Sequence, residues 1–277
     1  MITAISSYVS ASTLTLNLAS SGEDEGLVVF NIAGLGSPKA TVNGSGGPSF
    51  DGVLVDSVKT DARHILLTLA ITPGGDQGAK KDKIYKYFPI KRQILFGVAT
   101  PSKNVETLAY IENVEMNLFS KVANAVISLY CEEPFFFHED ETIKTFTTTP
   151  TDIIYEGHVA VGGRFFIDFT GVVTGDIVII NDMGDQSMTL DFDGARAFFG
   201  GAIQNGDEVV IDTRFGKKSA IFTRSSVDYN MIGGIGMYDD WIQMKVDPSA
   251  TNRCSYTVNE PSNVTIDFNY IPAYAGV

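Results

Sequence analysis

The feature that most constrains this chain is an alternation of apolar with polar residues, at a period of two, repeated along most of its length. Successive side chains of a strand point to opposite faces, so this period is typical of strands with one face buried. The alternating runs lie at 13–18, 27–32, 64–71, 122–130, 164–170, 176–180, 208–213, 218–223 and 265–271. Turn signals rich in Gly, Asn and Asp separate them, including 43–44, 51–52, 73–75, 193–194 and 205–207. The pattern predicts a mainly β protein.

One segment has a helical spacing instead. Residues 76–88 place Ala79, Ile84, Tyr85 and Phe88 among lysines and end immediately before Pro89. Proline cannot continue a helix, and the residue before it is biased away from helical geometry. The spacing predicts one short amphipathic helix that packs Ile84 and Phe88 against a sheet and leaves its lysines in water.

The length of 277 residues favours two domains, because a single core rarely grows beyond roughly 250–300 residues. Composition changes after a phenylalanine run at 135–137, where the chain becomes acidic and then threonine-rich. This change predicts a β domain with one helix at residues 1–138, a linker at 139–152 and a second domain at 153–277. The short strands and frequent turns of the second domain are typical of a β-sandwich.

Charge argues against two classes of partner. The chain has 33 acidic and 20 basic residues, a formal net charge of -13. Such a surface repels phosphate backbones and anionic lipid heads, so neither nucleic acid nor membrane is an expected partner. No run of about 18 apolar residues or secretory leader occurs, which predicts a protein made and kept in a cytoplasm. One local exception is a basic cluster that includes Lys80, Lys81, Lys83 and Lys86.

The residues that carry catalytic or metal chemistry are sparse and scattered. The three histidines, His64, His138 and His158, lack the spacing of a zinc site. The clusters at 181–185 and 191–194 imitate calcium loops, but the Glu that an EF-hand requires does not follow. No Gly-x-Ser-x-Gly is present, and the glycine-rich stretch at 233–236 lacks the Lys of a phosphate loop. The sequence predicts no catalytic residue, no cofactor and no metal.

Aromatic residues near polar groups in the second half leave two interpretations open. Tyr229, Tyr238 and Trp241 lie close to Asn, Asp and Gln in the sequence. Exposed on a β-sandwich, they would form a surface on which sugars stack; buried, they would be core and strand-edge packing. Cys131 and Cys254 are expected to be free thiols in a reducing compartment.

Several stretches carry a resemblance to a known family. In order, they are Phe50-Asp51-Gly52, a strand at 65–69, the Lys-rich helix, Tyr87-Phe88-Pro89-Ile90, a strand ending at 94–96, the stretch 109–120, a strand ending in Cys131 followed by acid, Pro134 and Phe135, the segment 205–218, and the ending 271–277. Together they resemble the distal tail protein (Dit) family of siphophages, a component of the phage tail baseplate hub. The matches extend over nearly the whole chain.

The resemblance implies an N-terminal split β-barrel that assembles into a homohexameric ring and a C-terminal galectin-like β-sandwich. Such a ring joins the tail tube protein to the tail-associated tip protein and can anchor a receptor-binding protein. The place of action is then the tip of the virion tail, assembled in the bacterial host cytoplasm, and the protein is not an enzyme. In a ring, the four lysines would meet an acidic neighbour. The alternative is a carbohydrate-binding module that attaches to the host cell wall.

Overall fold

The computed structural model describes residues 2, 4–9, 15–19, 26–47, 51–117, 123–192, 201–236, 239–247 and 250–277. In this part of the chain strands predominate and one multi-turn helix is present. The predicted all-β fold with one short helix is confirmed.

The chain divides into two compact units. Unit 1 comprises Met1–Glu139 together with Tyr274–Val277, and unit 2 comprises Asp140–Ala273. Unit 2 is therefore an insertion near the end of unit 1, joined to it by two crossings of the chain. These bounds differ from the predicted 1–138, 139–152 and 153–277.

Unit 1 is built on one large antiparallel sheet. Its strands are β1 (Ala4–Val9), β2 (Thr15–Ala19), β3 (Leu27–Ala33), β4 (Ala40–Ser45), β5 (Leu54–Thr60), β6 (Arg63–Ile71), β7 (Gln93–Ala99), β8 (Asn104–Asn117), β9 (Asn124–Cys131) and β10 (Phe136–His138). The sheet runs in the order β2-β1-β7-β8-β9-β6-β3, while β4 and β5 form a separate two-stranded hairpin.

Alternation places the core of unit 1 on one face of this sheet. In β6, Ile65, Leu67 and Leu69 are fully buried, whereas the residues between them point outward. Helix α1 (Gln77–Tyr87) adds Ile84 and the following Phe88 to the same core. The predicted helix and its buried side are thus confirmed.

Unit 2 is a sandwich of two antiparallel sheets. Its strands are β11 (Thr142–Phe146), β12 (Thr151–Ile153), β13 (Val161–Gly162), β14 (Arg164–Phe169), β15 (Ile177–Asn181), β16 (Gln186–Leu190), β17 (Glu208–Asp212), β18 (Ser219–Arg224), β19 (Val227–Asn230), β20 (Gln243–Met244), β21 (Asn252–Thr257) and β22 (Val264–Tyr270). One sheet has the order β11-β22-β14-β17-β18-β19, and the other has the order β12-β21-β15-β16.

The inner faces of both sheets supply the core of unit 2. Phe165 and Phe268, on neighbouring strands of the larger sheet, have ring centroids 4.3 Å apart. Ile179 and Tyr256 contribute from the smaller sheet. Inward residues from two antiparallel sheets, buried between them, define a β-sandwich.

The segment predicted as a linker is part of the sandwich. Residues Thr142–Phe146 form the edge strand β11, paired antiparallel with β22, and Phe146 is buried in the core. Threonine-rich composition is typical of linkers, but threonine is also a good strand residue. Pairing with β22, at least 120 residues away along the chain, makes this segment a strand.

The C-terminus returns to unit 1 through a short last strand, β23 (Ala273–Tyr274). Tyr274 is buried in the unit 1 core, and the Val277 N–H donates to the Leu35 carbonyl at 3.0 Å. Local sequence cannot predict this return, because Tyr274 and Val277 contact β10, Lys103 and Leu35, all more than 130 residues away along the chain.

Candidate interaction surfaces

The four predicted interface lysines lie on α1 but have different surroundings. Asp76 caps the helix by accepting from the Gly78 N–H at 2.8 Å. Lys80 turns back to the loop before the helix, where its Nζ donates to the Thr72 carbonyl at 2.7 Å and the Gly74 carbonyl at 2.8 Å. Lys80 therefore stabilises the entry to the helix rather than facing a partner.

The other three lysines lie further along α1. The Lys81 Nζ is 6.0 Å from the centroid of the Tyr85 ring, a cation–π contact within the helix. Lys83 is half-buried and Lys86 is exposed. Of the four, Lys86 is the most accessible to a partner.

The predicted sugar-facing aromatics are partly integrated into the core of unit 2. Tyr229 is half-buried, with its ring centroid 6.1 Å from that of Phe222. Trp241 is half-buried, and Lys218 Nζ lies 5.1 Å from its ring centroid. Tyr238 lies outside the described residues. Core packing thus accounts for much of both described rings.

A shallow pocket of about 510 Å³ lies beside Tyr229 and is lined by residues 228–234. Two of its polar groups are already satisfied internally: Asp228 accepts from the Thr223 hydroxyl at 2.8 Å, and Asn230 accepts from the Ile232 N–H at 3.0 Å. The pocket offers an aromatic edge with few polar groups left for a ligand.

A second pocket, of about 210 Å³, lies in unit 1 next to β7 and β8. Burial, and then the nearby Glu139 carboxylate, raise the pKa of Glu106. Glu139 also accepts from the Asn104 amide at 3.2 Å. The lining contains Ser6 but no histidine, lysine or cysteine that would activate this hydroxyl.

The candidate metal positions are ordinary structural features. Asn181 accepts from the Met183 N–H at 3.2 Å and donates to Asn252 at 2.9 Å, which makes its loop a side-chain-stabilised turn. His64 Nδ1 is 3.3 Å from Glu112 on an exposed sheet face. Within the described ranges, no group of three or more His, Cys, Asp or Glu side chains converges on one point. The turn predicted at 193–194 lies outside these ranges.

None of the helices in the described part of the chain is long and apolar enough to cross a membrane.

The hairpin of β4 and β5 is the surface that the sequence predictions missed. The turn predicted at Asn43-Gly44 is wrong, because both residues lie inside β4 and pair with β5 across a bulge. A Cβ on Gly44 would come within 2.4 Å of Val53 Cγ1, so glycine permits the close approach of the two strands. Residues 54–60 do not alternate strictly between apolar and polar, so this strand had no period-two signal in the sequence. Its valines are more than half exposed.

Comparison with solved structures finds a similar fold in a phage tail protein. One similar structure is the Dit protein of phage SPP1, described as a paradigm of the hub adsorption apparatus in phages that infect Gram-positive bacteria. The match covers 96% of this chain and 98% of that chain, with a TM-score of 0.65 and 10% sequence identity. The resemblance drawn from sequence is confirmed at the level of the fold.

Two further similar structures are baseplates of phage P2 in the activated conformation. The one with Ca has a TM-score of 0.45 and 8% identity, and the match covers 97% of this chain and 98% of that one. The one with Sr has a TM-score of 0.44 and 8% identity, over 96% and 97% of the two chains. No protein-family model matches the sequence, and no curated protein matches it at a significant level.

Proposed function

We propose that this protein is a structural component of a phage-type tail tip, a distal tail or baseplate hub protein, and not an enzyme. The observation that carries the proposal is the fold likeness to SPP1 Dit along almost the full length of both chains. Similarity over both units is more informative than similarity over one, because single β-sandwiches occur in many unrelated functions.

In this proposal, unit 1 assembles into a homohexameric ring that joins the tail tube protein to the tail-associated tip protein. Unit 2 is carried by the ring and can anchor a receptor-binding protein. The virion tail tip is then the place of action, reached after assembly in the host cytoplasm. A heterologous contact between identical subunits that closes on itself produces such a ring.

The proposal is tested by light scattering coupled to gel filtration, with negative-stain imaging of the same fractions. We expect particles of six times the subunit mass that appear as rings. A protein that remains monomeric at tens of micromolar, and still forms no ring when mixed with the tail tube and tip proteins of the same particle, would overturn the proposal.

The lysines of α1 provide a finer test of the ring. If they meet an acidic neighbour, reversing the charge of both Lys83 and Lys86 to Glu should weaken ring assembly or tail joining, measured by the same light scattering. Reversal of Lys144 in unit 2 is the control. Unchanged assembly in the double variant would remove these lysines from the interface.

A second candidate function is attachment to host cell-wall carbohydrate through unit 2. The observation that favours it is the position of Tyr229 at the edge of the 228–234 pocket. A glycan array should then show binding that is lost in Tyr229→Ala and Trp241→Ala and kept in Tyr85→Ala, an exposed tyrosine of unit 1. An array without binders would remove this function.

A further inference from the structure

The sequence places Asn or Asp immediately before glycine at four positions: Asn43, Asp51, Asp193 and Asn205. At such positions the backbone nitrogen of the glycine can attack the side-chain carbonyl carbon, because glycine carries no Cβ to hinder the approach. Asp193 and Gly194 lie outside the described residues. The other three pairs have different surroundings in the structure.

The reaction at such a pair is the formation of a succinimide ring between the Asn or Asp side chain and the glycine nitrogen. The nitrogen gives up its proton, and ammonia leaves from Asn or water from Asp. Water then opens the ring at either carbonyl group, which leaves Asp or isoaspartate in the chain. In isoaspartate the backbone runs through the side-chain carboxyl carbon, so the main chain gains a methylene. Ring closure requires the side chain and the attacking nitrogen to lie on the same side of the Cα–C bond.

The Asn43–Gly44 pair is held in a strand. Both residues lie in β4, where they pair with Ser57 and Val55 of β5. The Asn43 amide donates to the Ser57 hydroxyl at 3.2 Å, which fixes its side chain on the neighbouring strand. Extended backbone, with ψ of about +135°, turns the next nitrogen away from the side-chain carbonyl carbon. The strand therefore opposes ring closure.

The Asn205–Gly206 pair is held in a tight turn. The Asp207 N–H donates to the Gln204 carbonyl at 3.2 Å. Gly206 has a φ of +85°, whereas Asn205 has no positive φ. These features define a type II turn, in which the backbone before the glycine is again extended, with ψ of about +120°. The Gly206 N–H also donates to the Phe169 carbonyl at 2.8 Å, so the attacking nitrogen is both turned away and hydrogen-bonded.

The Asp51–Gly52 pair lies in the loop that joins β4 to β5, and both residues are exposed. Among the described residues, neither has a hydrogen-bond partner. Gly52 has a φ of +99°, and a Cβ placed on it would meet no atom within 4 Å. The Asp51 carboxyl can therefore approach the Gly52 nitrogen without breaking any contact of the described structure.

We infer that Asp51 is an isoaspartate-forming site of the folded protein, and that folding suppresses the same chemistry at Asn43 and Asn205. The sequence by itself favours the opposite order, because Asn-Gly closes the ring faster than Asp-Gly in unstructured chains. Extended backbone and hydrogen bonds remove that advantage at both Asn residues. Asp51 keeps the reactivity that it would have in an unfolded chain.

The product has a chemistry that an enzyme can recognise. Isoaspartate leaves a free α-carboxylate in the β4–β5 loop. An isoaspartyl O-methyltransferase transfers a methyl group from S-adenosylmethionine to that carboxylate. The aged, folded protein is therefore a substrate for this class of enzyme, and methyl uptake measures the modification.

Ageing of the purified protein tests the inference. The protein is incubated at neutral pH, either folded in buffer or unfolded in guanidinium chloride, and peptide mapping with electron-transfer fragmentation distinguishes isoaspartate from Asp. We expect isoaspartate at Asp51 to accumulate at nearly the same rate in both states. Deamidation at Asn43 and Asn205 should be slower in the folded state by about tenfold or more, because a hydrogen bond has to break before ring closure.

Two outcomes of this comparison would overturn the inference. One is suppression by folding that is as strong at Asp51 as at Asn43. The other is deamidation of Asn43 or Asn205 in the folded protein at the rate of the unfolded chain. Neither outcome bears on ring assembly, so the proposed function stands or fails separately.

The matched variants lie on the same hairpin. Asp51→Glu keeps the charge but lengthens the side chain, which disfavours ring closure, and should remove most of the methyl uptake of the aged protein. Asp56→Glu makes the same change at an exposed residue that precedes Ser57 rather than glycine, and should leave methyl uptake at the level of the parent protein. Undiminished uptake in Asp51→Glu would place the isoaspartate elsewhere and overturn the inference.

Discussion

Arg63 is a buried cation whose observed hydrogen-bond partners are backbone carbonyl oxygens. Its guanidinium donates to the carbonyls of Gly34, Gly36, Pro134 and Ala275 at 2.6–2.7 Å. Burial lowers the pKa of Arg63. The side chain connects three segments of unit 1 that are far apart along the chain, including the returning C-terminus.

Replacing Arg63 with Ala should destabilise unit 1 by about 3 kcal/mol or more, since several buried carbonyls lose charge-assisted partners at once. Urea denaturation followed by circular dichroism measures the loss. Arg92→Ala removes an exposed arginine and should change stability by less than about 0.5 kcal/mol. A loss for Arg63→Ala no larger than that for Arg92→Ala would contradict this role.

Each unit contains one buried cysteine, so the reactivity of each thiol measures the burial of its own unit. Cys131 is buried in unit 1 and Cys254 in unit 2. Burial raises the pKa of Cys131 to about 11 and that of Cys254 to about 12. Both thiols are therefore neutral near pH 8, and neither is positioned as a nucleophile.

We expect both native thiols to react with iodoacetamide much more slowly at pH 8 than the same thiols in urea-unfolded protein. The folded state holds each proton more tightly than the unfolded state does. Their contribution to stability is thus complete below the ordinary thiol pKa near 9 and is lost as the pH rises through about 11 for Cys131. Mass spectrometry after timed quenching measures both sites. Rapid labelling of the folded protein would contradict the burial.

At the scale of elements, neighbouring residues determine where α1 begins, and contacts with distant strands determine where it lies. Its beginning follows from Asp76, whose side chain accepts from the Gly78 and Ala79 N–H groups. Its position follows from the burial of Ile84 and Phe88 against the main sheet. The first can be predicted from neighbouring residues, whereas the second requires strands from elsewhere in the chain.

Asp76→Ala should cost about 1 kcal/mol of stability, because two N–H groups of the first turn lose their acceptor. Asp76→Asn should keep most of the stability of the parent protein, since asparagine also caps helices well. Asp82→Ala, at an exposed position in the same helix, is the control and should have little effect. Equal losses for Asp76→Ala and Asp82→Ala in urea denaturation would show that the cap is unimportant.

At the scale of the whole molecule, the insertion of unit 2 into unit 1 is the main organisational finding. The chain leaves unit 1 after Glu139 and returns at Tyr274. Tyr274 is 4% exposed, and Lys103 Nζ lies 4.0 Å from its ring centroid. The last four residues therefore complete a core whose other residues all lie before residue 140.

Deleting residues 274–277 should destabilise unit 1 by about 3–5 kcal/mol, as expected for loss of a buried aromatic side chain. Iodoacetamide labelling should accelerate at Cys131 and stay unchanged at Cys254, because unit 2 keeps its own core. Tyr274→Phe retains the ring and should behave much like the parent protein. Equal acceleration at both thiols would contradict the independence of the two cores.

Sequence alone was sufficient for properties set by neighbouring residues: the β class by alternation, and the helix by its spacing and Pro89. Tertiary structure was needed wherever a residue's role depends on distant partners. It made the threonine-rich segment an edge strand, turned Lys80 inward, returned the C-terminus to unit 1 and left the β4–β5 hairpin uncovered. The physical reason is that strand pairing and burial bring together residues far apart in the chain. Local composition does not specify which distant segments pair.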